Sequence, residues 1–338
     1  MRFGLIGYGA WGSHHARVIA KNPRAELVAI AARSEETRAR AAQEHTSAQV
    51  YADYRDLLAR KDLEAVAVVL PSHLHHEVGA AVLASGRHLL MEKPMAISVA
   101  DCDDLIAVAQ KHGRTLAIGH EMRLSSLWGK VKELIATGAI GTPQYALIEL
   151  WRRPYRLGAD GWRYDIARVG NWILEEPIHF FDIARWYFQG VGEPMSVYAR
   201  AVAKNAERPE LQDNFSAVVN FPDGRYAVIS QTLAGWEHHQ TVKITGADGA
   251  LWAKWSGAMD RTFAPTFSLQ RTHGQEIETV DVPKAAGEVF ELEEQLTRFI
   301  QAVEAGATPA ATGNDGKWSV RMCLKAQESV QAGGPVTL

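Results

Sequence analysis

Cysteine is scarce in this chain: among 338 residues there are two, Cys102 and Cys323, far apart in sequence. They read as two buried free thiols rather than a disulfide, which fits a reducing compartment such as the cytoplasm. Long apolar runs are missing too. No stretch reaches the ~18 consecutive apolar residues that suggest a membrane span. The chain enters a strand pattern at once, so the expectation is that it carries no signal peptide. Neither sign of charge dominates: 36 Lys and Arg stand against 39 Asp and Glu, a formal charge of −3. That balance gives no electrostatic basis for binding nucleic acid or an anionic membrane. His73, His75 and His76 lie together, but without the Cys or acidic spacing that closes a zinc set, so no metal is expected. Internal repeats and low-complexity segments are also absent.

What is present is an ordinary globular composition, 47% hydrophobic and 22% charged, in a chain long enough for two domains. The pattern changes near Met122, which sets expected boundaries of 1–122 and 123–338, with the last helices free to pack back towards the first domain. In the first part, short apolar runs at 3–6, 26–31, 65–70, 88–91 and 116–118 alternate with helical segments at 11–21, 35–44, 74–85 and 99–111. Runs such as Ala65-Val66-Ala67-Val68-Val69-Leu70 do not alternate with polar residues. They predict parallel strands covered on both faces, and strand–helix alternation predicts a doubly wound α/β sheet. The second part predicts a helix over 126–136 and strands over 145–151, 196–204, 241–245 and 250–255. An Asp-Gly hairpin is expected between 214–221 and 225–233, with two closing helices over 289–305 and 316–331. This is a mostly antiparallel sheet with helices on one face. An uncovered second face would favour a homodimer or homotetramer.

Gly7-Tyr8-Gly9-Ala10-Trp11-Gly12 follows the first strand. This is G-x-G-x-x-G at a strand-to-helix junction. The first glycine suits a tight turn, the second a close approach to pyrophosphate, and the third close packing of helix on strand. The helix N-terminus then offers N–H groups to the phosphates.

Later in the chain come Pro71-Ser72-His73-Leu74-His75, Glu92-Lys93-Pro94 and Gly119-His120-Glu121-Met122-Arg123. Together with the glycine motif and the two-part organisation, they resemble the glucose–fructose oxidoreductase / inositol dehydrogenase / MocA family over essentially the whole chain. The resemblance implies a Rossmann domain, a C-terminal α/β domain with a large open sheet, and pyridine-nucleotide redox chemistry on sugars, cyclic polyols or their keto forms. It implies nucleotide contacts for Gly7, Gly9, Ala10, Trp11, Gly12, Leu70, Pro71, His75, Glu92, Lys93 and His120, and often a cis peptide before the proline of Glu-Lys-Pro. Substrate contacts are expected for Lys93, Arg123, Trp162, Glu175, Glu176 and His179.

Lys93 stands at the C-terminal edge of the predicted sheet, where such sheets bind ligands. Its ammonium suits the oxygen of an alcohol becoming a carbonyl. His179 is the expected acid–base group. Relatives usually carry Asp four residues before this histidine; here it is Glu175, with Pro177 in place of the usual glycine. If 175–179 were helical, Glu175 and His179 would share a face, with Pro177 in the first turn. Glu176 is the alternative carboxylate. Most of the tryptophans read as core, and the three arginines of the 151–158 loop suit either an anionic group or solvent.

An NAD-type ribose contact calls for an acidic residue about 20 positions beyond the motif. That place is Ala32, followed by Arg33 and Ser34. Arg33 and Ser34 suit a 2′-phosphate, so NADP is favoured over NAD. The function expected is hydride transfer between a nicotinamide cofactor and a secondary alcohol or ketone. Redox-assisted glycoside cleavage and a non-catalytic nucleotide-binding regulator are the alternatives.

Overall fold

The computed structural model describes residues 1–338, which fall into two compact units. Met1–His120 with Leu292–Lys317 form the first, and Glu121–Glu291 with Trp318–Leu338 the second. No helix is long and apolar enough to cross a membrane.

In the first unit the chain runs β1 (Arg2–Ile6), α1 (Gly12–Lys21), β2 (Glu26–Ala31), α2 (Glu35–Glu44), β3 (Gln49–Tyr51) and α3 (Tyr54–Leu58). It continues with β4 (Ala65–Val68), α4 (His75–Ala84), β5 (His88–Met91), α5 (Val99–His112) and β6 (Leu116–Ile118). The strands form one parallel sheet in the order β3-β2-β1-β4-β5-β6. This is the doubly wound order, which reverses direction between β1 and β4. β4 is buried at every position, as a strand without polar alternation should be. Local chemistry fixes the helix ends: Ser98 caps α5 by accepting from the Asp101 N–H at 3.1 Å, and Gly113 closes it in the left-handed region. Phe299 packs its ring 5.9 Å from Phe3. With Leu292, Leu296 and Ile300 it supplies a helix stripe to the core under β1 and β2.

The second unit holds α6 (Trp128–Ala136), β7 (Pro143–Arg152), α7 (Ile166–Val169), α8 (Pro177–Tyr187), β8 (Ser196–Val202), β9 (Asn214–Asn220) and β10 (Tyr226–Thr232). β11 (His238–Gly246), β12 (Gly249–Gly257), β13 (Thr266–His273) and β14 (Glu276–Val280) follow. Two long helices, α9 (Glu288–Ala305) and α10 (Gly313–Ala332), each run from one unit's residues into the other's, and β15 (Val336–Thr337) ends the chain. The nine-stranded sheet has the order β14-β13-β12-β11-β7-β10-β9-β8-β15. It is antiparallel throughout except for the β7–β10 pair. The expected hairpin at Pro222-Asp223-Gly224 is present, with Asp223 and Gly224 both at positive φ.

Strand alternation gives this sheet two distinct faces. Ala146, Ile148, Leu150, Val219, Ile229, Val242 and Ile244 are buried on one. That face carries α8, through Phe181 on Phe215 and the neighbouring Phe188 stacked on Phe221. The other face leaves Trp151, Tyr198, Tyr226 and Trp252 exposed. Asp182 of α8 receives two 2.7 Å hydrogen bonds from the Arg123 guanidinium, and both residues are buried. A bidentate pair of this kind fixes the helix's rotation as well as its depth.

Candidate active site

The glycine turn in the first unit is built as its spacing suggests. Gly7 has φ +101°, and a Cβ there would lie 2.0 Å from the Val69 carbonyl oxygen. A Cβ on Gly12 would lie 2.1 Å from the Gly7 carbonyl oxygen, so turn and helix meet without side chains between them. Around Gly9 a Cβ would meet nothing within 4 Å. No side chain caps α1, whose N-cap residue is Trp11. Backbone N–H groups at an uncapped helix start beside open space suit a dinucleotide pyrophosphate.

At the end of β2, Ala32 is buried and Arg33 exposed. Ser34 caps α2: its hydroxyl accepts from the Thr37 N–H at 3.2 Å and donates to Thr37 Oγ1 at 2.7 Å. Sequence reading missed two further arginines here. Arg38 donates to the Ala32 and Arg33 carbonyls at 3.2 and 2.5 Å, and Arg40 to the Tyr8 carbonyl at 2.9 Å. Their spacing from Ser34 along α2 was the available signal.

The Glu-Lys-Pro turn follows β5, and its Lys93–Pro94 peptide is cis. Glu92 is buried, and its Oε1 lies 2.9 Å from His15 Nε2 on α1. Oε2 accepts from the Lys93 N–H at 3.3 Å. Burial raises the Glu92 pKa, but the bond to His15, the Lys93 charge and the Trp11 indole outweigh it and hold the carboxyl below its usual range. A Cβ on Gly119 would come 2.9 Å from Glu92 Oε1, so glycine makes room for this carboxylate. His75 sits between the Leu70 and Pro94 carbonyls, at 2.8 and 2.6 Å, and ties the Pro71 loop to the Lys93 turn. Lys93 is half-buried, and His120 is buried at the end of β6.

The second unit contains a pocket lined by Glu121, Met122, Trp128, Glu176, His179, Gln240, Trp255, Asp260, Gly287, Glu288 and Glu291. His179 reaches it from the first turn of α8. Pro177 opens that helix, as expected, but Glu175 lies before it, at the end of a short 3₁₀ turn over Trp172–Leu174. The shared helix face expected for Glu175 and His179 therefore does not form, because the helix starts two residues too late. Glu175 instead accepts from Arg163 Nε at 2.8 Å, while Glu176 lines the pocket. The carboxylate found 3.5 Å from His179 Nε2 is that of Glu121, a residue sequence reading did not single out.

Glu176 is held by Arg152, from the end of β7, which also lies 3.8 Å from Asp260. Arg152 is thus engaged within the unit rather than turned to solvent. His238 Nε2 is 3.0 Å from Glu176 Oε1, and burial together with Arg152 lowers the His238 pKa to about 4, leaving the ring neutral. Arg123 is committed to Asp182. Trp162 belongs to a buried cluster with Tyr155, Trp172 and Leu233. Burial, with Glu288 adding to it, pushes Glu291 up to about 7 even though Ser125 and the Gly287 N–H donate to it.

Comparison with known proteins places these features in a family. The family described as "Oxidoreductase family, NAD-binding Rossmann fold" matches residues 1–120, and the GFO/IDH/MocA C-terminal domain matches residues 128–252. The oxidoreductase YrbE of Bacillus subtilis (strain 168) is 30% identical, over 99% of this chain and 96% of its own length. Myo-inositol 2-dehydrogenase of Thermotoga maritima is 26% identical, over 98% of this chain and 96% of its own. The aldose-aldose oxidoreductase of Caulobacter crescentus, solved with glycerol, has the same fold. Its TM-score is 0.86 at 21% identity, covering 100% of this chain and 99% of its own.

Proposed function

Since the chain belongs to the GFO/IDH/MocA oxidoreductases and carries their NAD-binding Rossmann domain, we propose that it moves a hydride between nicotinamide and a secondary alcohol or ketone of a sugar or inositol-like polyol. The observation that supports this most is His179, an acid–base side chain lining a concave pocket with the Glu121 carboxylate 3.5 Å from its Nε2. The named activity of the Thermotoga relative points to the same class of substrate.

The residues of the first unit fit a dinucleotide. The Gly7–Gly12 turn would hold the pyrophosphate, and Leu70, Pro71, His75 and His120 would border the nicotinamide half. When bound, the nicotinamide supplies the hydride acceptor or donor. In oxidation the substrate carbon gives up a hydride and its hydroxyl a proton, leaving a carbonyl. His179 takes that proton, and the nearby Glu121 charge favours the imidazolium that results. Lys93 donates a hydrogen bond to the substrate oxygen and stabilises negative charge developing there. Glu92, buried between His15 and the Lys93 N–H, positions the lysine. Glu176 rather than Glu175 is the carboxylate assigned to the substrate, because Glu176 lines the pocket.

NADP is the favoured cofactor. Ala32 brings no carboxylate to repel a 2′-phosphate; Arg33 stands exposed beside it, and the Arg38 guanidinium lies on the Ala32 and Arg33 carbonyls. One charge-assisted contact is worth about 1.5–3 kcal/mol, so kcat/KM with NADP(H) should exceed that with NAD(H) by roughly tenfold or more. Ala32→Asp should reverse the order. The aromatic open sheet face supports a homo-oligomer, and the two buried thiols support a reducing, cytoplasmic setting.

The test is steady-state turnover across sugars, cyclic polyols and hydroxy acids with each cofactor, followed by nicotinamide absorbance. Oxidation of a hydroxy acid alone, or no redox turnover at all, would refute the reading. A clear NAD preference would refute the cofactor assignment alone.

A further inference from the structure

The pocket of the second unit contains five acidic side chains, Glu121, Glu176, Asp260, Glu288 and Glu291, and no lysine or arginine lines it; burial pushes Glu291 up to about 7, so it is only partly ionised at neutral pH. Behind it, Arg152 serves both Glu176 and Asp260, and the charges of Arg261 and Arg156 also act on Asp260. The neighbouring His238 is neutral. The lining is therefore strongly acidic.

One acceptor in it is unmet. Glu176 is 5% exposed, and its Oε1 receives no hydrogen bond. His238 Nε2 lies 3.0 Å away, but that nitrogen also faces the Gln240 side-chain amide at 3.0 Å. Trp128 and Trp255 also line the pocket, and indole rings attract cations.

Hydroxyl groups both donate and accept, so a neutral polyol is best met by a mixture of donors and acceptors. An ammonium group donates three hydrogen bonds and accepts none. An acceptor-rich, negatively charged pocket with indole walls matches an ammonium. The carboxylates do not converge as a metal-ligand set, which argues against a divalent cation as the missing charge.

We propose that the substrate carries a protonated amine, as an amino sugar or aminated cyclic polyol, and that the acidic pocket holds that amine. The proposal rests on the oxidoreductase reading above and narrows its substrate class. Oxidation still occurs at a hydroxyl-bearing carbon, and the amine serves recognition.

The test uses the full chain saturated with NADP and titrated calorimetrically at neutral pH and low salt. One series is glucose, glucosamine and N-acetylglucosamine; the other is myo-inositol and its mono-amino analogue. The amines should bind about tenfold or more tighter than the hydroxyl parents, since charge–charge attraction is stronger in a partly buried site than in water. N-acetylation removes the charge and should abolish the advantage. Added salt should shrink it. Glu288→Gln, at a half-buried position, should lower the amine-to-hydroxyl affinity ratio severalfold, and Asp260→Asn provides a second variant. A panel in which no amine is preferred, including one in which nothing binds, overturns the proposal, as does a preference that survives both variants. Turnover is read separately. Oxidation of neutral sugars without amine preference removes this inference and leaves the oxidoreductase reading. Tight amine binding without turnover of any compound does the reverse.

Discussion

Replacing His15 with alanine should be among the costlier single changes in the first unit. The imidazole lies 2.9 Å from Glu92 Oε1, and both side chains are buried. Removing one member of such a pair leaves a charge in a poorly solvated site, at a cost of about 3–5 kcal/mol. Two contacts soften the loss here, the Lys93 N–H at 3.3 Å and the Trp11 indole. The low end, about 3 kcal/mol, is therefore expected. Glu92→Gln removes the charge but keeps shape and an acceptor, so it should cost only about 1–2 kcal/mol. The double variant should be less damaged than the sum of the two single ones, by roughly 0.5–3 kcal/mol of coupling.

Equilibrium urea unfolding at several pH values reads all three. Glu92 has its folded pKa below the ordinary carboxylate value of 4.5. Its ionised form therefore stabilises the fold above that value, and the contribution is lost as pH falls through the folded pKa. The gap between wild type and Glu92→Gln should be full at neutral pH and close in acid below the ordinary carboxylate value. A His15→Ala cost under about 1 kcal/mol would refute the reasoning, because it would place the pair among weakly contributing surface ion pairs. A Glu92→Gln gap that ignores pH would refute the charge argument separately.

Lys93→Met should lower kcat by on the order of 10²-fold or more while nucleotide affinity is kept, which fluorescence titration of bound NADPH checks beside turnover. His179→Ala should lower kcat by about 10²–10⁴-fold, and Glu121→Gln by less, in single-turnover measurements on one substrate. Among the acidic pairs, Glu176→Gln should impair turnover more than Glu175→Gln; the opposite order would return the substrate role to Glu175. Glu291 gives a pH prediction of the opposite sign to Glu92. Its folded pKa of about 7 lies above the ordinary 4.5, so its contribution to stability is full in acid and falls as pH rises through 7. Glu291→Gln should then be the more stable protein above neutrality, by up to about 3 kcal/mol, and a denaturation series from acid to mild alkali checks it.

The Rossmann sheet was legible because its strands are apolar without alternation and its helices begin and end at recognisable residues. β3 and α3 escaped notice because they are only three and five residues long and present little apolar surface. β13 and β14 escaped for a related reason: β14 is exposed along most of its length and β13 buries only Leu269. Sequence periodicity reports burial, and a strand at a sheet edge with no buried face leaves no period to read. The helix at 177 shows the converse limit. Proline marked its first turn correctly, but the four-residue spacing from Glu175 to His179 could not show that the helix starts after Glu175.

The chemistry of the site was legible where a short motif carries it and hidden where folding assembles it. Gly7-Tyr8-Gly9-Ala10-Trp11-Gly12 and Glu92-Lys93-Pro94 are local strings, so the first was readable from its place between strand and helix and the second from its resemblance to a family motif. The pocket beside His179 draws on Glu121, Glu176, Gln240, Asp260 and Glu291, which are scattered across the second unit and share no motif. Each looks like an ordinary polar surface residue until the sheet and the start of α9 bring it inward. Arg123 and Arg152 illustrate the same point with the opposite charge. In sequence both look available to an anionic substrate, but Asp182 and Glu176 claim them. Their cations are committed inside the protein, and the lining that remains is acidic. Sequence composition, almost neutral overall, could not have shown a pocket lined by one sign, because the charge of a lining is set by which side chains folding brings together.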